Sequence, residues 1–187
     1  FLRLNAQDES LTQLCAEYVE PVGYSNINLF TTDWDASDLS QVDLNALFPV
    51  FLGQGMDVSL AESYPVSPDG QTAYIPAREF ESLICSYIDI PADAVRQNAD
   101  FDTQEQAYPG HIISDSDRQM FFEAPYGEVR SVVENADGSL TLEVHAVSAS
   151  LGMDSSFVHE LTVMPEADGG FSYVSNRILH APGEVIP

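Results

Sequence analysis

The chain has 187 residues, 44% of them hydrophobic and 10% aromatic, which is enough for a packed core and excludes a disordered acidic tail. Thirty Asp and Glu stand against six basic residues, all of them Arg, for a formal net charge of -24. That balance excludes a binder of nucleic-acid backbone and argues equally against docking on anionic lipid, because each such contact needs a basic group.

The first helix is predicted over Glu9 to Glu20, where apolar residues recur at helical spacing until Pro21 and Gly23 end the run. A short strand is expected at Asn26 to Thr31. The polar stretch Asp33 to Asp43 leads into a helix carrying Leu39, Val42, Leu44, Leu47 and Phe48, expected to stop at Pro49. Tyr64 to Gln71, with Pro65, Pro68, Asp69 and Gly70, reads as a turn between extended pieces. Pro76 suits the first turn of a helix whose buried stripe is Phe80, Leu83, Ile84, Tyr87 and Ile88, and Pro91 opens a second, Ala92 to Asn98. Asn98 to Ser116 reads as a long loop with one strand at His111 to Ser114.

Beyond it the period changes to two. Strands are predicted at Glu128 to Asn135, Ser139 to Ser148, Phe157 to Met164 and Phe171 to Leu179, with turns at Asp137-Gly138, Leu151 to Asp154 and Asp168-Gly169. The plan is α+β: a helix-rich first half packed on a C-terminal antiparallel four-stranded meander, which curvature or a further strand would extend. We expect one domain over residues 1–187, helical or irregular over 1–120 and sheet over 126–181, since a lone meander needs its apolar face covered.

Hairpin turns fix pairing, so the strands can be aligned on paper. A two-residue loop at Asp137-Gly138 makes Ala136 face Ser139, puts Arg130 opposite His145, and gathers Val129, Val133, Leu142, Val144 and Ala146 on the other face. Keeping Leu161 and Val163 on that apolar face sets Ala146 opposite His159 and His145 opposite Glu160. Pairing Val163 with Val174 sets Glu160 opposite Arg177. One row results, Arg130, His145, Glu160 and Arg177, with Glu143 diagonal to Arg130. It reads either as a solvated ladder of charge pairs or as a polar site in which the arginines hold an anionic or hydroxyl-rich ligand.

Other motifs are weaker. His159-Glu160-Leu161-Thr162-Val163 starts like a zinc-protease helix but lacks the second His and has the pattern of a strand; no Gly-x-Ser-x-Gly elbow occurs, and a phosphate loop needs the Lys this chain lacks. The four His are spread singly and read as packing or surface residues. Asp33, Asp35 and Asp38 alternate, but a calcium loop counted from Asp33 would have Asp38 where Gly is needed and Leu44 where Glu is needed, so Asp33 or Asp38 reads as a helix N-terminal cap or dipole partner. No cofactor or metal is expected. Trp34 reads as a rim residue or a packing anchor. Cys15 and Cys85 fit no metal or redox spacing and read as two buried thiols or one disulfide. The chain opens at Phe1 without an initiator Met, as a trimmed or mature fragment would.

The run Tyr74-Ile75-Pro76-Ala77-Arg78-Glu79-Phe80-Glu81-Ser82-Leu83-Ile84, then Ile90-Pro91 and Val95-Arg96, then Asp100, Asp102 and Tyr108, resembles a segment of uncharacterised extracytoplasmic lipoproteins of Gram-positive gut bacteria. The likeness continues through Asn135-Ala136-Asp137-Gly138-Ser139-Leu140-Thr141-Leu142, Val144, Ala146-Val147, Phe157, Leu161-Thr162-Val163 and Phe171 to Asn176, about two-thirds of the chain. It implies a tethered exported domain of unassigned function, with the lipid-bearing Cys upstream of Phe1, and it supplies no catalytic residue. The expectation is an exported, non-enzymatic domain that binds a small molecule or protein partner through Arg130, Glu143, His145, Glu160 and Arg177. The alternatives are a hydrolase using His145 and Glu160, and a spacer domain of an envelope protein.

Overall fold

The computed structural model describes residues 9–24, 28–53, 59–112, 124–148 and 153–181. Its first helix, α1 (Glu9–Tyr18), lies where periodicity placed it. Asn28 to Thr31 is turn rather than strand, and the start of that expected strand falls outside the described residues. Leu29 and Phe30 are buried there, and Trp34 is a packing anchor, its indole N–H donating to the Leu29 carbonyl at 2.6 Å. Trp34 and Asp35 form the two-residue strand β1.

Helix α2 (Leu44–Gly53) starts later than expected and runs through Pro49 instead of stopping there. Asp43 caps it, its carboxylate accepting from the Ala46 N–H at 2.9 Å. Leu44, Leu47, Phe48 and Phe51 are all buried, so burial of one stripe on both sides of the proline outweighs one missing backbone bond. A short helix, α3 (Leu60–Ser63), precedes β2 (Thr72–Pro76). Pro76 sits at the N-cap of α4 (Ala77–Tyr87), and α5 (Ala92–Asn98) has the predicted bounds. The presumed loop contains β3 (Ala107–His111), paired antiparallel with β2; its expected strand lay four residues further on, and residues 113–114 fall outside the described set.

The meander is present as β4 (Tyr126–Glu134), β5 (Leu140–Ser148), β6 (Met153–Pro165) and β7 (Phe171–His180). With β1 it makes a five-stranded sheet in the order β1-β7-β6-β5-β4. The fold is α+β, a helix-rich first half on a mainly antiparallel sheet. Val129, Leu142, Val144, Ala146, Phe157, Leu161, Val163 and Tyr173 line the inner face and belong to the same core cluster as Tyr18, Val19, Phe48, Phe80 and Ile84. Val133, expected among them, is on the outer face and 58% exposed. Both cysteines are free thiols; Cys15 donates from Sγ to the Gly127 carbonyl at 3.1 Å, which fastens α1 to β4.

Candidate functional site

The outer face of the sheet is built from alternate residues of four strands, and its register differs from the expected one in four places. At the first hairpin the Asn135 N–H bonds to the Ser139 carbonyl and Gly138 takes a positive φ of 88°, so the loop has three residues rather than two. A bulge at Arg130 then adds a second shift: Glu128, not Arg130, lies opposite His145. Between β5 and β6 the offset is two residues. His145 faces Val158, Ala146 faces Phe157, and Glu143 faces Glu160. A slip of two preserves which side chains point inward, so the hydrophobic pattern could not detect it. In the last hairpin Val163 pairs with Tyr173 and Val174 is extra, yet past that bulge Glu160 lies opposite Arg177 as expected.

All five residues of the expected row therefore share the outer face, but with other partners. Arg177 donates to Glu160 Oε1 at 3.2 Å. His145 donates from Nε2 to Glu143 Oε1 at 3.0 Å, two residues back on its own strand, instead of meeting Glu160. Arg130 reaches Glu128 Oε2 at 2.5 Å, so a residue absent from the expected set takes the place of Glu143. Glu143 and Glu160 stand directly opposed, which alone would be unfavourable; His145 on one side and Arg177 on the other offset it.

Burial is uneven along this strip. The Arg177 side chain is 65% exposed, whereas those of His145 and Arg130 are 20% and 30% exposed, and Arg130 Nε is buried with no hydrogen-bond partner among the described residues. The strip thus runs from a solvated ion pair to a half-sheltered end with an unused donor. Chemically it can accept an oxygen-rich group at the arginine and histidine donors.

Sequence reasoning missed two other clusters. His159 is fully buried on the inner face, stacked on Phe30 and flanked by Tyr24 and Phe157. Asn176 donates from Nδ2 to the Thr32 carbonyl, so its Oδ1 accepts from His159 Nδ1 at 2.6 Å, and His159 Nε2 accepts from the Tyr24 hydroxyl at 2.8 Å. Every ring nitrogen is satisfied with the imidazole neutral, and burial pushes its pKa down to about 4. The parity that turns Leu161 and Val163 inward turns His159 inward too, which was the available signal.

The second cluster joins three residues of the family-like segment. Tyr108 donates to Glu81 Oε1 at 2.8 Å, and Arg96 donates to the same oxygen from Nε at 3.0 Å and from its terminal nitrogen at 2.6 Å. Tyr108 also stacks on Phe80, so the cluster pins α4, α5 and β3 together.

Two of the alternating acidic residues serve local turns, Asp35 accepting from Ser37 and Asp38 from Ser40, whereas Asp33 accepts from the distant Ile178 N–H on β7. These hydrogen bonds hold the Asp35 and Asp38 carboxyls below the ordinary range. Among the described residues no three His, Cys, Asp or Glu side chains gather as a metal site would require.

No helix among the described residues is long and apolar enough to cross a membrane. No curated protein and no solved structure matches the chain. A family model, described as a family of unknown function (DUF6070), matches residues 1–187, and the chain belongs to that family.

Proposed function

We propose that this protein is an exported, membrane-tethered, non-enzymatic domain that binds a small-molecule or protein partner through the outer sheet face around Arg130, Glu143, His145, Glu160 and Arg177. The observation that carries the reading is the placement of two of six arginines beside a histidine on one face of a chain with net charge -24. Arg130, whose side chain is part-exposed and paired with Glu128, offers its guanidinium as the anchor for an anionic or hydroxyl-rich group. Export and a lipid tether upstream of Phe1 rest on the resemblance of the Tyr74 to Arg96 segment. The scarcity of basic residues supports the exclusion of nucleic acid.

The test is a thermal-shift screen of carboxylates, sulfated sugars and neutral oligosaccharides on the wild type, Arg130→Gln and Arg177→Glu. Ligands whose stabilisation vanishes in both variants support the site. Hits insensitive to both variants remove it. Fractionation of the source cells with an antibody reads the compartment, and a cytosolic signal overturns export.

One contact favours a second reading, a hydrolase: the 3.0 Å pair of His145 and Glu143, which replaces the expected His145 and Glu160 pair. Hydrolysis of a model ester that survives His145→Gln would dismiss it.

A further inference from the structure

The two edges of the main sheet are treated differently. On β7 the edge is occupied: β1 pairs with Ser175 and Asn176, the Asp89 N–H bonds to the Tyr173 carbonyl, and the Ile178 N–H bonds to the Asp33 carboxylate. On the opposite side, β4 has a strand neighbour only in β5 among the described residues. Ser131 to Glu134 are all exposed, with Val132 at 39% and Val133 at 58%. Three of the four exposed large hydrophobic side chains among the described residues, Tyr126, Val132 and Val133, lie on this one strand.

The hydrogen-bond phase of that edge follows from the hairpin. Asn135 is bonded to Ser139, and in an antiparallel pair bonded positions alternate, so Val133 and Ser131 point their amides at β5. Val132 and Glu134 then direct theirs outward. Among the described residues no strand pairs with these outward N–H and C=O groups, and such a run flanked by valines is a template for another strand; of the devices that blunt natural edges it has neither Lys nor Pro, only the charge of Glu134 and the bulge at Arg130.

We propose that Ser131 to Glu134 of β4 accepts an extended segment of a basic partner by strand addition. Charge selects the partner: Glu134 lies on the edge itself, and a second copy of a chain with thirty acidic and six basic residues would meet strong like-charge repulsion. The backbone of the added strand supplies affinity, and small branched side chains opposite Val132 and Val133 supply the fit.

The experiment titrates the 187-residue chain with two synthetic peptides of alternating Val and Thr, one flanked by lysines and one by glutamates, and reads amide hydrogen exchange. The lysine peptide slows exchange at Val132 and Glu134, leaves Ser131 and Val133 unchanged, and loses effect with added salt. Val132→Pro, which removes an outward donor and no β5 bond, weakens its binding about five- to tenfold. Val133→Lys, at an exposed position, weakens the same peptide by charge and serves if the proline variant fails to fold. Equal protection by both peptides, no protection by either, or protection that grows with protein concentration without peptide overturns the proposal; the last outcome identifies a second copy as the occupant.

Discussion

His159 is the buried residue whose ionisation bears on the folded state at acid pH. Its pKa is near 4 when folded, against an ordinary value of 6.5, so between these values the unfolded chain binds more protons. Stability therefore rises with pH across that window: the contribution is complete above 6.5 and is lost as pH falls toward 4. Its size is roughly 3 kcal/mol. His159→Phe keeps the aromatic stack but strands the Tyr24 hydroxyl and Asn176, at a cost of about 1–3 kcal/mol at neutral pH. Urea midpoints for the two proteins should converge between pH 7 and pH 4.5; parallel curves would contradict the assignment. At the exposed pair, by contrast, Arg177→Ala should shift stability by less than about 1 kcal/mol, so any loss of ligand in an Arg177 variant reports binding rather than folding.

At the scale of elements, α1 is held on β4 by close approach. A Cβ at Gly127 would lie 2.6 Å from Val19 Cγ1, and the Cys15 thiol already bonds to the Gly127 carbonyl. Gly127→Ala should cost about 1–3 kcal/mol, read as a lower denaturant midpoint, because Val19, just past the end of α1, is a stiff β-branched side chain packed in the core. Helix α2 offers a milder case: Asp43→Ala removes the cap on Ala46 and should cost about 1 kcal/mol. Helices α1 and α4 were legible because each has an apolar stripe with a proline or glycine near an end, and α5 because Pro91 opens it. Strand β2 was legible only as an extended piece after the turn ending at Gln71, and β3 was not, since Pro109 and Gly110 inside it read as loop chemistry and only pairing with β2 makes them a strand.

For the whole molecule, helices and sheet share one core cluster, so we expect a single cooperative unfolding transition, with circular dichroism and Trp34 fluorescence coincident. Two separated transitions would divide the chain. The charge of -24 makes self-repulsion a standing cost, and added sodium chloride should raise the melting temperature by shortening the screening length from about 30 Å at 0.01 M to about 3 Å at 1 M.

The amino-acid sequence by itself determined the α+β plan, the faces of β5, β6 and β7 and the scarcity of cations, because composition and hydrophobic period are local quantities. It placed Arg130, Glu143, His145, Glu160 and Arg177 on one face through parity alone. Only the tertiary structure decided who meets whom. The three-residue turn slips β4 by one residue and turns Val133 outward, the bulge at Arg130 restores the inward parity at Val129, and the two-residue offset between β5 and β6 keeps parity; together they exchange every polar neighbour except Glu160 and Arg177. The physical reason is that burial fixes which side of the sheet a residue takes, whereas its partner depends on backbone hydrogen bonds at turns and bulges, which hydrophobicity does not encode.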